Sequence, residues 1–347
     1  MTGLIPSAYL LTAKDLAEID ALLGQILSGG LHTVEDSGFH EDAPVLAHGL
    51  PLALRRHLYE FRLKEPSAAC LVRGFVLDDD ALGPTPATWR EAGSSGPTLT
   101  AEVFFYLCAT ILGESAAWST KQDARLMHDI VPVEGDEDKQ LGSGSNTVLT
   151  WHTEDGFSDL RADYLGLMCL RNHSATGTTV ASVDTMSFDA RTAAVLREPR
   201  FEIVPDGSHF QPISATVRAS LGAELLARGL TRLEHMRDSP APVSLLFGAR
   251  ERPYLRADQY FARAIDGDDL AAEAYASLAE EVASRLEPVI LEPGDVLFLD
   301  NYRAVHGRDS FQAKFDGTDR WLKRLNLVRN LRDSMEYRSS PSTRVMV

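Results

Sequence analysis

From about residue 130 onward the sequence falls into short apolar or alternating runs separated by turn-forming residues, and no other feature constrains the fold as much. The runs are 148–152, ADYLGLMCL at 162–170, TTVASV at 178–183, FEIVP at 201–205, VSLLFG at 243–248, DVLFLDN at 295–301 and WLKRLNLVRN at 321–330. Two helical stretches interrupt them, one after Ser187 and one across 269–286. Many short strands with spaced turns predict a β-sandwich or barrel with helical padding. Strands and helices do not alternate regularly, which argues against a doubly wound parallel sheet.

The first 130 residues are richer in helix. Residues 12–28 read as an amphipathic helix with Thr12 as N-cap and Asp15 three residues later. Residues 101–114 form a more apolar helix that should be buried, and 83–97 is a loop rich in Gly, Pro and Ser. No linker divides the chain, so one domain over 1–347 is expected, with a helix-rich part at 1–130 packed on a strand-rich core at 131–335. Segment 134–146 is acidic, then rich in Gly and Ser, and reads either as a solvated loop or as a lid over a site.

Charge narrows the function. Lys plus Arg is 34 and Asp plus Glu is 50, a formal charge of −16, so nucleic acid and anionic membranes are poor partners. No run approaches the roughly 18 apolar residues of a membrane span. The first twenty residues lack the basic and apolar regions of a secretory signal. Cys70, Cys108 and Cys169 are widely spaced, which suits reduced thiols in the cytoplasm rather than a disulfide framework. The expectation is a cytoplasmic monomer or homodimer that handles a small molecule.

The sharpest local feature is Trp151-His152-Thr153-Glu154-Asp155. On a strand, the period of two puts His152 and Glu154 on one face, where an imidazole and a carboxylate supply two ligands to a divalent metal. Downstream, His306 follows the apolar strand DVLFLDN and offers a third. Two histidines and one carboxylate form the facial triad of non-haem Fe(II) oxygenases, in which cosubstrate and O2 share the open positions. The same trio also suits a catalytic zinc in a hydrolase, and a metal-free binding module is a third possibility. After the Asp316-Gly317 hairpin signal, Arg320 and Arg324 lie an even number apart and should point to one side of the sheet. Two such guanidinium groups suit two carboxylates, one on a 2-oxo acid and one on an amino acid.

WHTEDGF, DNYRAVHGRDSFQAKFDGTDRWLKR and STKQDARLMHDIVPVEG together resemble the clavaminate synthase-like Fe(II)/2-oxoglutarate oxygenases, in particular the branch that hydroxylates free L-amino acids. The resemblance runs from about residue 40 to 335. It implies a mainly β fold with a helical surround, its core a double-stranded β-helix or jelly roll. It implies Fe(II), 2-oxoglutarate and O2, hydroxylation at the β (C3) or γ (C4) carbon, and a role in peptide natural-product biosynthesis. His152, Glu154 and His306 match its iron ligands, Arg320 the arginine that holds 2-oxoglutarate, and Thr178 a threonine that supports it. Arg324 matches the residue for the substrate α-carboxylate. Gln122 matches a glutamine that holds the α-amino group with Glu154, and Asp206 and Ser208 match positions lining the substrate pocket.

Arginine hydroxylases of this branch can present an Asp-x-Asp pair to the guanidinium, whereas this chain has Asp258-Gln259-Tyr260. A phenol in place of the second carboxylate suits a compact ammonium, so lysine is expected slightly ahead of arginine, with a neutral or cyclic amino acid such as citrulline, pipecolate or asparagine as the alternative. Trp151 and Trp321 read as core or sheet-face residues, and His128, His173 and His209 as packing or surface residues. Asp155 reads equally as support for a neighbouring group and as an exposed acid.

Overall fold

The computed structural model describes residues 8–92 and 96–347. The first seven residues, and 93–95 within the expected loop, lie outside the described residues. Helix α1 (Ala13–Ser28) starts as its sequence predicts: the Asp15 N–H donates to Thr12 Oγ1 at 3.2 Å and the Thr12 N–H to Asp15 Oδ2 at 2.9 Å. Two amides with no partner in the first turn are thereby satisfied. Helices α2 (Ser37–Leu46) and α3 (Leu52–Lys64) follow, then the buried α4 (Leu99–Leu112). The expected span of that last helix was 101–114. It ends at Leu112 because Gly113 passes so close to a neighbouring strand that a Cβ there would meet the Val328 carbonyl oxygen at 2.6 Å.

In chain order the strands are β1 (Ala8–Leu10), β2 (Ala69–Arg73), β3 (Glu114–Trp118), β4 (His128–Ile130), β5 (Leu149–His152), β6 (Tyr164–Arg171) and β7 (Gly177–Ser182). Then come β8 (Phe201–Ile203), β9 (Leu246–Gly248), β10 (Pro253–Leu255) and β11 (Ala262–Ala264). The last are β12 (Glu287–Ile290), β13 (Val296–Asp300), β14 (Ala304–Arg308), β15 (Trp321–Val328) and β16 (Val345–Met346). Between them lie the two expected helices, α5 (Ala190–Leu196) and α8 (Asp269–Arg285), and two the pattern did not reveal, α6 (Ala215–Leu221) and α7 (Ala223–Asp238). Gly229 interrupts the apolar pattern of α7 because Val347 packs there: a Cβ would lie 2.5 Å from its backbone carbonyl carbon.

An eight-stranded sheet runs β1-β2-β13-β6-β15-β3-β16, with β4 paired to the first half of β15 and β3 to its second half. A four-stranded sheet runs β12-β7-β14-β5. Leu165 and Leu167 of β6, Leu297 and Leu299 of β13 and Leu322 of β15 join Val180, Ala304 and Val289 of the smaller sheet in one apolar cluster. The alternate residues Tyr164, Met168, Phe298, Leu325 and Leu327 pack with α1, α3 and α4. The period of two thus gives β6 two apolar neighbours, and all eight of its residues are buried. The Asp316-Gly317 turn forms, with Gly317 at φ 84°, but it does not close a hairpin. β14 before it belongs to the smaller sheet and β15 after it to the larger one. Such a dipeptide reports local turn geometry, not which sheet each flank joins.

All three cysteines are buried free thiols. Among the described residues no helix is long and apolar enough to cross a membrane.

Candidate metal centre and substrate cleft

Residues of β5, β14 and β15, with the stretches 119–123, 139–143 and 211–213, line a cleft of about 410 Å3, large enough for two small molecules. His152 and His306 are register partners across β5 and β14, with ring centroids 4.4 Å apart. Glu154 Oε2 lies 3.7 Å from His152 Nε2 and 3.9 Å from His306 Nε2. One ligand atom from each residue falls within 4.8 Å of the others. The His152 Nδ1 faces the Thr150 carbonyl oxygen at 2.9 Å, and a proton there leaves the Nε2 lone pair directed at the cluster.

Burial, with His152 beside it, pushes His306 down to about 3, so its ring is neutral at pH 7. Burial also opposes ionisation of Glu154, yet Arg324, Lys121 and His152 hold its carboxyl well below the usual range. Glu154 Oε1 is buried without a hydrogen-bond partner. Imidazole nitrogens and an ionised carboxylate converging on one point fit a divalent first-row metal. Asn301, in the turn between β13 and β14, clamps this position: its Oδ1 accepts from the Glu154 N–H at 2.8 Å, and its Nδ2 donates to the Glu154 and Ala162 carbonyls. Nothing local marks Asn301 in the sequence, because its partner is 147 positions away.

Arg320 and Arg324 both line the cleft. Arg320 Nη2 donates to Thr178 Oγ1 at 3.1 Å, its Nε has no partner, and it forms no ion pair with any described carboxylate. Burial lowers this guanidinium to about 10, the signature of a cation without a counter-ion. Arg324 Nη2 meets His128 Nδ1 at 2.9 Å, so His128 is more than packing. Arg308 is fully engaged elsewhere, donating to the carbonyls of Gly144, Thr147 and Asp309 and tying the 134–146 segment to the His306 strand.

Gln122 lines the cleft with its amide engaged by the backbone, whereas Tyr260 does not reach it. The Gln122 amide is taken by the backbone of Asp129, donating to its carbonyl at 2.8 Å and accepting from its N–H at 3.0 Å. Gln122 adopts φ 43°, which breaks the side-to-side alternation, and its neighbour Lys121 faces Glu154 instead, at 3.6 Å. Tyr260 is 63 % exposed and packs on Phe261. The cause is a tight turn in which Asp258 Oδ1 accepts from the N–H groups of Tyr260 and Phe261, curling the phenol outward. Asp258, Asp206 and Ser208 do line the cleft. Asp206 Oδ1 accepts from the Ser208 N–H at 2.7 Å.

Asp155 is buried, not exposed, and receives Trp118 Nε1 at 2.9 Å and Lys121 Nζ at 2.8 Å. His209 is fully buried between Thr120 and Asp155, whereas His173 is half-exposed beside Asp79. Trp151 and Trp321 are core residues, as expected, with Trp321 Nε1 donating to Asp129.

Residues 230–326 match the family model described as taurine catabolism dioxygenase TauD, TfdA family. The chain is 41% identical to an L-ornithine/L-arginine 3-hydroxylase of Catenulispora acidiphila, over 97% of this chain and 98% of that one. It is 42% identical to the enduracididine β-hydroxylase of Streptomyces hygroscopicus, over 96% of this chain and 97% of that one. A crystal structure of the non-haem iron oxygenase OrfP with iron, succinate and (3S)-hydroxy-L-arginine superposes with a TM-score of 0.89 at 38% identity, covering 98% of this chain and all of that one. OrfP with iron and α-ketoglutaric acid gives a TM-score of 0.87, with the same identity and coverage.

Proposed function

The chain belongs to the TauD/TfdA family of non-haem iron oxygenases, and from that premise we propose that it hydroxylates C3 or C4 of a free basic L-amino acid with Fe(II), 2-oxoglutarate and O2. One observation carries the reading. The His152, Glu154 and His306 trio shares its cleft with Arg320, a buried cation that has Thr178 and no carboxylate. Such a cation fits the distal carboxylate of a dianionic cosubstrate bound beside the metal.

Iron held by the trio would supply the O2-dependent oxidation that turns a C–H bond into an alcohol while 2-oxoglutarate becomes succinate and CO2. Arg320 and Thr178 would fix the distal carboxylate of 2-oxoglutarate. Arg324 would take the substrate α-carboxylate and Glu154 Oε1 its ammonium, which holds the reacting carbon in one orientation and excludes water. Asp258, with Asp206 and Ser208, would receive the side-chain cation. Tyr260 points outward and Asp206 stands 3.7 Å from Lys121 Nζ, so the side-chain cation would rest mainly on Asp258, and arginine, ornithine and lysine are all substrates in this reading. In this reading the two sheets form a double-stranded β-helix within one domain, residues 1–130 packed against a core at 131–335. The protein would work in the cytoplasm as a monomer or homodimer, on an amino acid bound for a peptide natural product and without nucleic acid or membrane.

The test is succinate release from anaerobically loaded protein exposed to air with the proteinogenic amino acids, ornithine, citrulline or pipecolate. Succinate formed in step with a hydroxylated ornithine, arginine or lysine is expected. Release with neutral or cyclic amino acids alone would overturn the basic-substrate assignment.

A further inference from the structure

Glu154, Asp155, Asp206 and Asp258 are four of the carboxylates that line the cleft. Three of them share one cation. Lys121, 9 % exposed, places Nζ 2.8 Å from Asp155 Oδ1, 3.6 Å from Glu154 Oε1 and 3.7 Å from Asp206 Oδ2. Asp155, Asp206 and His209 converge within 4.8 Å, close enough to hold a metal, but an ammonium already lies among them. Asp155 is further satisfied by Trp118 and faces away from solvent, with its side chain 1% exposed. Asp206 is 23% exposed at the cleft and turns Oδ2 towards Lys121. Asp258 forms no ion pair with any described lysine or arginine.

We propose that Lys121 is a specificity-determining residue, a built-in counter-ion to Asp206 and Asp155 that limits the positive charge the cleft draws from a substrate side chain to what Asp258 balances. The inference rests on the basic-substrate reading above. Its physical basis is direct. A unit charge within about 7 Å of a bound cation, at an effective dielectric near 20, changes that cation's affinity by about tenfold or more. It leaves a neutral isostere nearly untouched.

Arginine and citrulline provide that comparison, since they share shape and α-zwitterion and differ by one side-chain charge. The experiment measures the dissociation constants of both by calorimetry under anaerobic conditions, on protein loaded with Fe(II) and 2-oxoglutarate. In Lys121→Met the preference for arginine over citrulline should rise by about tenfold, and in Lys121→Arg, which keeps the charge, it should stay near that of the wild type. A merely structural role would weaken both ligands equally and leave the ratio unmoved. An unchanged or smaller ratio in Lys121→Met overturns the proposal.

If that variant does not fold, Lys121→Gln with Asp155→Asn removes the buried charges as a pair. The Asp155 side chain is 1% exposed against 9% for Lys121, so its charge is the more deeply buried of the two, a rise of about threefold is still expected, and no rise is equally fatal. A wild type that binds arginine no better than citrulline sinks the basic-substrate reading itself. A wild type that prefers arginine, with the ratio unmoved in the variants, sinks only the role of Lys121.

Discussion

Arg324 Nη1 stands 3.0 Å from Glu154 Oε1, so the residue suited to a substrate carboxylate is paired with the one suited to a substrate ammonium. The contact lacks the alignment of a hydrogen bond, and Oε1 stays without a partner. In the proposed function a zwitterion would insert between the two and improve the geometry of both.

The two arginines should therefore separate in kinetics. Arg320→Met should raise the KM for 2-oxoglutarate by about tenfold or more, since a charge-assisted contact is worth about 1.5–3 kcal/mol. Arg324→Met should raise the amino acid KM instead. Steady-state kinetics with each reactant varied decides it, and two variants that failed only in the amino acid KM would refute this division.

His128 should act through Arg324. Burial, then the nearby Arg324 and Lys121, hold its imidazole well below the ordinary value, so it meets the guanidinium as a neutral acceptor. His128→Phe is expected to raise the amino acid KM by about fivefold to tenfold, the loss of about 1–1.5 kcal/mol of orientation, with the 2-oxoglutarate KM unmoved. His128→Asn, which restores an acceptor, should recover part of it. Equal effects on both KM values would mean a general loss of packing.

Removing His306 should cost metal rather than fold. His306→Ala deletes one of three converging donors at a cleft, so iron retention in equilibrium dialysis should fall by at least about tenfold, while circular dichroism stays that of the wild type. Unchanged iron binding would exclude His306 as a ligand.

Asp300 should make stability depend on pH. Burial raises its carboxyl from an ordinary 3.8 to about 7. The folded state then keeps the proton while the unfolded chain loses it, so this group's contribution is full below about pH 4 and lost as pH rises towards 7. Asp300→Asn keeps an acceptor for the Tyr302 N–H. It should stabilise the protein at pH 8 by about 2–4 kcal/mol and change little at pH 4. Urea denaturation at the two pH values measures the difference, and equal effects at both would contradict the proposed titration.

The grouping of His152, Glu154, His306, Arg320 and Arg324 was legible in the sequence from residue types and spacing, although β5 ends at His152 and β15 begins at Trp321, so Glu154 and Arg320 stand just outside the strands whose alternation was used. The partners of these residues were not legible. His128 and Asn301 act on segments far away in the chain, and so does Lys121, whose partners Glu154 and Asp206 lie well downstream. Tyr260 failed because its placement rested on the Asp-x-Asp pair of the resembling family, whereas here a turn closed by Asp258 sends the phenol outward. Strand positions of the core followed from apolar runs, whereas α7 was hidden by Gly229, whose need for space lies at Val347.

The pairing of β6 with β15 also bears on how the chain reaches its fold. It joins Tyr164–Arg171 to Trp321–Val328 across about 150 intervening residues, and neither strand has a substitute partner nearby in sequence. Closing so long a loop costs entropy before any contact rewards it, so folding should be slow and should finish late in synthesis. Until then β6, whose eight residues are all buried at the end and apolar but for Arg171, remains an uncovered strand. Growth at low temperature or with added chaperone should raise the soluble yield, because both protect that strand while it waits for its partner.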